Sequence, residues 1–134
     1  MSMLLSDALQ TAIYGRLSGD GPLAAIVGTH IYDAMPTGPV PDLYILIGEE
    51  TVVDASDVTG NGAIHDLIVS VISTADSFLT LKEAADAVWS ALGASELSLA
   101  RGHLVGFWYR SSTAKRNSSG QRKVDLKFRA RVQA

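Results

Sequence analysis

The chain contains no cysteine. That excludes disulfides, a thiolate metal site and a cysteine nucleophile, and it leaves the redox compartment open. Long hydrophobic runs are missing too. The longest, such as LYILIG and HLVGFWY, fall far short of the roughly 20 residues that a membrane span needs. The start, MSMLLSDALQ, has neither a basic region nor a cleavage-like site, so a soluble, cytoplasmically made protein with no membrane partner is expected. Positive charge is scarce over most of the chain: residues 1–109 hold only Arg16, Lys82 and Arg101 against thirteen acids, a balance of −10.

The missing cations are gathered at the other end. From Arg110 onward there are eight Lys and Arg against the single acid Asp125, a balance of +7 in a chain whose net charge is −3. With 134 residues and 47% hydrophobic residues dispersed along it, the chain reads as one domain over 1–134, large enough for a real core.

Leu5, Leu9, Ile13 and Leu17 stand four apart with Ala8 and Ala12 beside them, the apolar stripe of an amphipathic helix over residues 4–17. SGDGP breaks it, and PLAAIVG predicts a short second helix starting at Pro22, whose missing N–H is not needed in a first turn. HIYDAMPTGPVPDLYILIGEE reads as a brief strand, a proline-braced turn and a second strand, with LYILIG buried on both faces. VVDASDVTGNG reads as a polar loop. AIHDLIVSVIS follows as a long strand with His65, Leu67, Val69 and Val71 on one face and Ile64, Asp66, Ile68, Ser70 and Ile72 on the other.

Thr80 and Glu83 have capping-box spacing, and Leu81, Ala85, Val88 and Leu92 form one stripe ahead of Gly93, which predicts a helix over 80–92 with Gly93 at its C-cap. ELSLARGHLVGFWYRSS, a charged turn and KVDLKFRARV predict a closing hairpin. In its last strand Val124, Leu126, Phe128, Ala130 and Val132 alternate with Lys123, Asp125, Lys127, Arg129 and Arg131, so one face is core and the other nearly all basic. The fold class is therefore α+β: an antiparallel-rich sheet with the two amphipathic helices on one face and a long hairpin. The six polar or small residues Arg116–Gln121 are expected to leave the tip TAKRNSSGQRK mobile until a partner orders it.

Catalytic and ligand-binding patterns are not found. His30, His65 and His103 have no metal-binding spacing, and Asp54, Asp57 and Asn61 lack the alternation and final glutamate of a calcium loop. SGDGP and TGNG lack the context of a phosphate loop, no nucleophile elbow surrounds any serine, and Asn117 in its glycosylation sequon reads as a hairpin tip. No enzyme activity, cofactor or metal is expected. The basic tail reads either as a solvated strand face that resists edge-to-edge aggregation or as an electrostatic surface facing nucleic acid or the acidic part of another copy.

The order of these features resembles the tail-terminator, or tail-completion, family of long-tailed phages, prophages and gene-transfer agents. The stretch IYDAMPTGPVPDLYILIGE carries most of the likeness, with the leading helix, LKEAADAVWSALG and the closing hairpin beside it. Near Ser73 the family often has tryptophan instead. The resemblance implies a structural virion protein, not an enzyme, that forms a ring, commonly a hexamer, caps the tail tube, ends its polymerisation and joins the head-side connector. It also implies assembly in the cytoplasm of the bacterial host and then a place in the tail, with DNA passing the lumen without sequence specificity. On that reading Lys123, Lys127, Arg129 and Arg131 lie at a subunit boundary or the lumen, and Lys115, Arg116 and Arg122 belong to a loop facing tube or DNA. The alternatives are a neck or head-tail adaptor protein, and a free-standing, non-specific nucleic-acid-binding module using the basic hairpin.

Overall fold

The computed structural model describes residues 5–35, 37–58, 60–74, 78–93, 97–116 and 120–134. In chain order it has helices α1 (Ser6–Ser18) and α2 (Gly21–Val27), strands β1 (Ile31–Tyr32), β2 (Leu43–Asp54) and β3 (Gly62–Ser73), helix α3 (Phe78–Gly93), and strands β4 (His103–Arg116) and β5 (Arg122–Gln133). The strands form one sheet in the order β1-β2-β3-β5-β4, antiparallel except for the short β1, which runs parallel to β2.

Register fixes which residues share a face. Ile45 and Ile47 of β2 pair with Val71 and Val69 of β3, and Leu67, Val69 and Val71 pair with Phe128, Leu126 and Val124 of β5. These side chains join Leu9, Ile13 and Leu17 of α1, Leu23 and Val27 of α2, and Leu81, Ala84, Val88 and Leu92 of α3 in one buried core. All three helices therefore pack on one face, because each has a single apolar stripe and only one sheet face is apolar enough to cover it. The short α2 joins the two helices expected there. Its N-cap is Asp20, whose carboxylate accepts from the Leu23 N–H at 3.0 Å, the role this residue type fills best.

Beyond shifts of one or two residues at α1 and α2, four boundaries differ from the sequence reading. Helix α3 starts at Phe78, so Thr80 lies within its first turn and is not its N-cap, and Gly93 is its last residue. Val52, Val53 and Asp54 continue β2 instead of opening the loop, since two β-branched residues extend the ladder against His65 and Ile64. The loop itself is tied by Asp54 Oδ1, which accepts from the Ser56 N–H at 3.2 Å and its hydroxyl at 2.6 Å. Finally, β4 begins only at His103. Gly102 just before it has φ +68°, and a Cβ there would meet the Leu5 side chain and stand 2.6 Å from the Gln133 carbonyl oxygen, so the backbone turns where a strand was expected. At the far end of the hairpin, β4 runs to Arg116 and β5 starts at Arg122. The expected mobility of the tip falls largely on residues 117–119, outside the described residues, as does the Asn117 sequon.

Candidate functional site on the open face and edges of the sheet

The face of the sheet that carries no helix is built from the alternate residues. Rungs run straight across it: Ser70, Asp125 and Thr113; Ile68, Lys127 and Ser111; Thr51, Asp66, Arg129 and Trp108; Val53, Ile64, Arg131 and Gly106. The alternation read from KVDLKFRARV thus places Lys123, Lys127, Arg129 and Arg131 together on this face.

The face is less uniformly basic than the β5 sequence suggests, because the register sets acids among the cations. Arg129 donates from Nε to Asp66 Oδ1 at 2.8 Å and from Nη2 to Oδ2 at 3.2 Å. This fork holds the Asp66 carboxyl below the usual carboxylate range and raises the Arg129 guanidinium. Asp125 accepts from the Ser70 hydroxyl at 2.7 Å and lies 3.3 Å from Lys115 Nζ and 3.5 Å from Lys123 Nζ. Burial pushes the Asp125 carboxyl up, but the hydroxyl and the two ammonium groups outweigh it, and the net shift is downward. Among the described residues no ion pair involves Lys127 or Arg131, so these two, with Arg116 of β4, supply uncommitted positive charge, while Arg110 lies close enough to Asp66 to help lower its carboxyl.

Lys115 and Arg116 end β4, and both are exposed. Arg122 sits apart from them in character. It opens β5, is only 8% exposed, and its guanidinium lies 5.0 Å from the centre of the Phe78 ring, stacked between sheet and α3. The structure therefore brings Lys115 together with Lys123 around Asp125, and sends Arg122 to the helix side.

Charge also divides from edge to edge. Between Leu17 and Leu81 the sequence has nine acids and no Lys or Arg. Of these, Glu49, Glu50, Asp54 and Asp66 lie in β2 and β3, whereas β4 and β5 carry eight cations and one acid. The contrast seen along the chain becomes a gradient across the sheet, acidic on the β2 side and basic on the β4 side.

The β4 edge also has an aromatic character. Trp108 and Tyr109 are 48% and 45% exposed, as are Val105 at 55% and Trp89 of α3 at 49%. Trp89 and Tyr109 meet edge to face with ring centres 6.5 Å apart. A cleft of about 580 Å³ lies between the end of α3 and the start of β4, lined by Trp89, Leu92, Leu97, Val105, Trp108 and Tyr109 among others. The Trp108 indole lies over Gly106, where any Cβ would collide with it.

No group of three or more His, Asp or Glu side chains gathers among the described residues. His65 is fully buried on the helix face with Nδ1 3.5 Å from Glu50 Oε2, and Glu50 also accepts from the Ser6 hydroxyl of α1. This is a tie between sheet and helix. No helix among the described residues is long and apolar enough to cross a membrane.

The family model described as tail completion protein gp17 matches residues 11–133. The chain belongs to the tail completion protein family. A chain in a solved structure described as the virion of a native gene transfer agent (GTA) particle is 48% identical. The match covers 99% of this chain and 100% of that one, with a TM-score of 0.93. Among curated proteins none matches. As a member of the family the protein is a structural tail-completion protein.

Proposed function

We propose that the protein forms a homo-oligomeric ring, a hexamer on the family's common pattern, that caps the finished tail tube, stops its polymerisation and offers its other side to the head-side connector. The observation that carries this reading is the match to the tail completion family over residues 11–133, joined by the full-length likeness to a chain of the GTA virion. The gradient of charge across the sheet supports the ring, since a closed ring joins one face of a subunit to a different face of its neighbour and unlike charges suit that contact. The subunits are made in the host cytoplasm and enter the tail on assembly.

Lys127 and Arg131, with Lys123 and Arg129 beside them, then lie near a subunit boundary or toward the lumen. Asp66 and Asp125, set among those cations, favour protein contacts over a continuous phosphate track. DNA therefore passes the lumen without being gripped sequence-specifically, and the hairpin end with Lys115 and Arg116 meets the tube.

Solution mass tests the ring: a stable multiple of 14.2 kDa is expected, and a monomer that shifts with oligonucleotide at low salt overturns it in favour of a nucleic-acid-binding module. Removing the protein from a producing strain should give overlong tubes under the electron microscope. Tubes of normal length lacking only heads would point instead to an adaptor.

A further inference from the structure

Both edges of the sheet keep open backbone at the same level. Among the described residues β4 pairs only with β5, with register shifts between Leu104 and Gly106 and between Tyr109 and Ser111. On the opposite edge β1 covers β2 only at Ile45 and Leu46, so the half of β2 from Gly48 to Asp54 has β3 on one side and no strand on the other among the described residues. The rungs place that free half level with the start of β4: Thr51 shares a rung with Trp108, and Val53 shares one with Gly106.

The two edges also match in sense and chemistry. β2 and β5 are each antiparallel to β3, and β4 is antiparallel to β5, so β4 runs opposite to β2. Carrying the sheet on into a neighbour of the same orientation therefore sets β4 antiparallel to β2, the pairing the rest of the sheet already uses. Exposed apolar residues stand on both sides, Val53 at 54% on β2 and Val105 and Trp108 on β4, with Val58 fully exposed in the loop beyond β2. The charges are opposite, with Glu49, Asp54 and Asp57 on or beside the β2 half and Arg110 on β4.

We infer that the free half of β2, Gly48–Asp54, docks along the β4 edge of a second copy of this chain, His103–Arg110, with the exposed Val53 of the β2 end set against Val105 and Trp108. The inference rests on the ring reading above and specifies its subunit contact. Long unpaired edges invite added strands, and here the apolar and charged groups select which strand is added. The sheets of successive subunits run on into one another, and the stub of β1 leaves half of the β2 edge open for the purpose.

The lack of cysteine makes the test clean. Two single-cysteine proteins, Val53→Cys and Val105→Cys, are mixed, refolded together and oxidised. Both positions are over half exposed, so the subunit tolerates the change. Within one chain the two residues are three strand spacings apart, roughly 14 Å, and a disulfide needs Cα atoms within about 7 Å. The expected result is a covalent dimer from the mixture and none from either protein alone, and a ladder up to the full ring from the doubly substituted chain. A second mixture, Glu49→Cys with Arg110→Cys, covers a shift of register along the edge. Rings of normal mass that yield no crosslink from either mixture overturn this contact and leave the ring standing. Monomers under all conditions overturn the ring reading itself.

Discussion

Arg129 and Asp66 face each other across β5 and β3 in a two-pronged pair, with the guanidinium fork matching both carboxylate oxygens. The pair takes one of the most prominent cations of the C-terminal strand out of the pool available to a partner. Its neighbour two residues on, Arg131, has Ile64 and Gly106 on its rung and no such commitment.

Substituting these two arginines separately should therefore give different results. Arg129→Glu sets a carboxylate against Asp66 and is expected to lower the urea midpoint of the subunit. Arg131→Glu is expected to leave that midpoint close to the parent value and to reduce the assembled fraction seen by solution mass. Equal loss of midpoint in both variants would contradict the pairing.

Stability should fall in acid. Burial raises the Glu50 carboxyl, but hydrogen bonds from His65 and Ser6 outweigh it and the net shift is down, as it is for Asp66 and Asp125. A carboxyl whose folded pKa lies below its unfolded value, about 4, stabilises the fold fully above that value and loses its contribution as pH drops through the folded one. The contribution of these three carboxyls should be constant above about pH 5, and urea midpoints should decline below about pH 4. Asp125→Asn should flatten part of that decline, and an unchanged slope would remove Asp125 from the account.

The core beneath α3 depends on Leu81, which is fully buried against the sheet. Leu81→Ala removes most of a packed side chain and should cost roughly 2–5 kcal/mol of unfolding free energy. Leu79, 68% exposed on the same helix, should change by less than about 0.5 kcal/mol when replaced by Ala. Denaturant titration of the two variants side by side checks the helix orientation.

Gly106 leaves the space that the Trp108 indole fills. Gly106→Ala should push that ring off the sheet and change the tryptophan emission, while Gly106→Ala combined with Trp108→Phe should show only the Trp89 signal and no further shift. Emission identical to the parent in Gly106→Ala would mean the indole does not rest there.

The elements legible in the sequence were those whose pattern is local. Five apolar residues at every second position from Val124 to Val132 can form only a half-buried strand, and the stripe Leu81, Ala85, Val88, Leu92 can form only a helix with one inner face. What escaped depends on residues far apart in the chain. Asp66 meets Arg129 across 63 positions, and nothing near either one specifies that register. Arg122 looked like a loop cation because its neighbours are polar, and its burial comes from Phe78, 44 positions earlier. The strand through Val52 and Val53 was hidden by the acids and glycines that follow. The late start of β4 comes from Leu5 and the Gln133 carbonyl crowding Gly102, a contact between the two ends of the chain. For the candidate surface, sequence gave the cations of β5 but not the aromatic cleft, whose only outward sign is the run Phe107-Trp108-Tyr109 on a strand otherwise poor in apolar residues.

The gradient of charge across the sheet also gives the subunit a handedness of encounter. Two copies brought together about a two-fold axis would lay acid on acid at the β2 edge or base on base at the β4 edge, and each of those meetings is repelled before contact. Only an approach that turns one copy by less than half a revolution, edge after unlike edge, is attractive. A freshly made subunit is thus discouraged from being trapped as a symmetric pair and is left available for the next place in a circle.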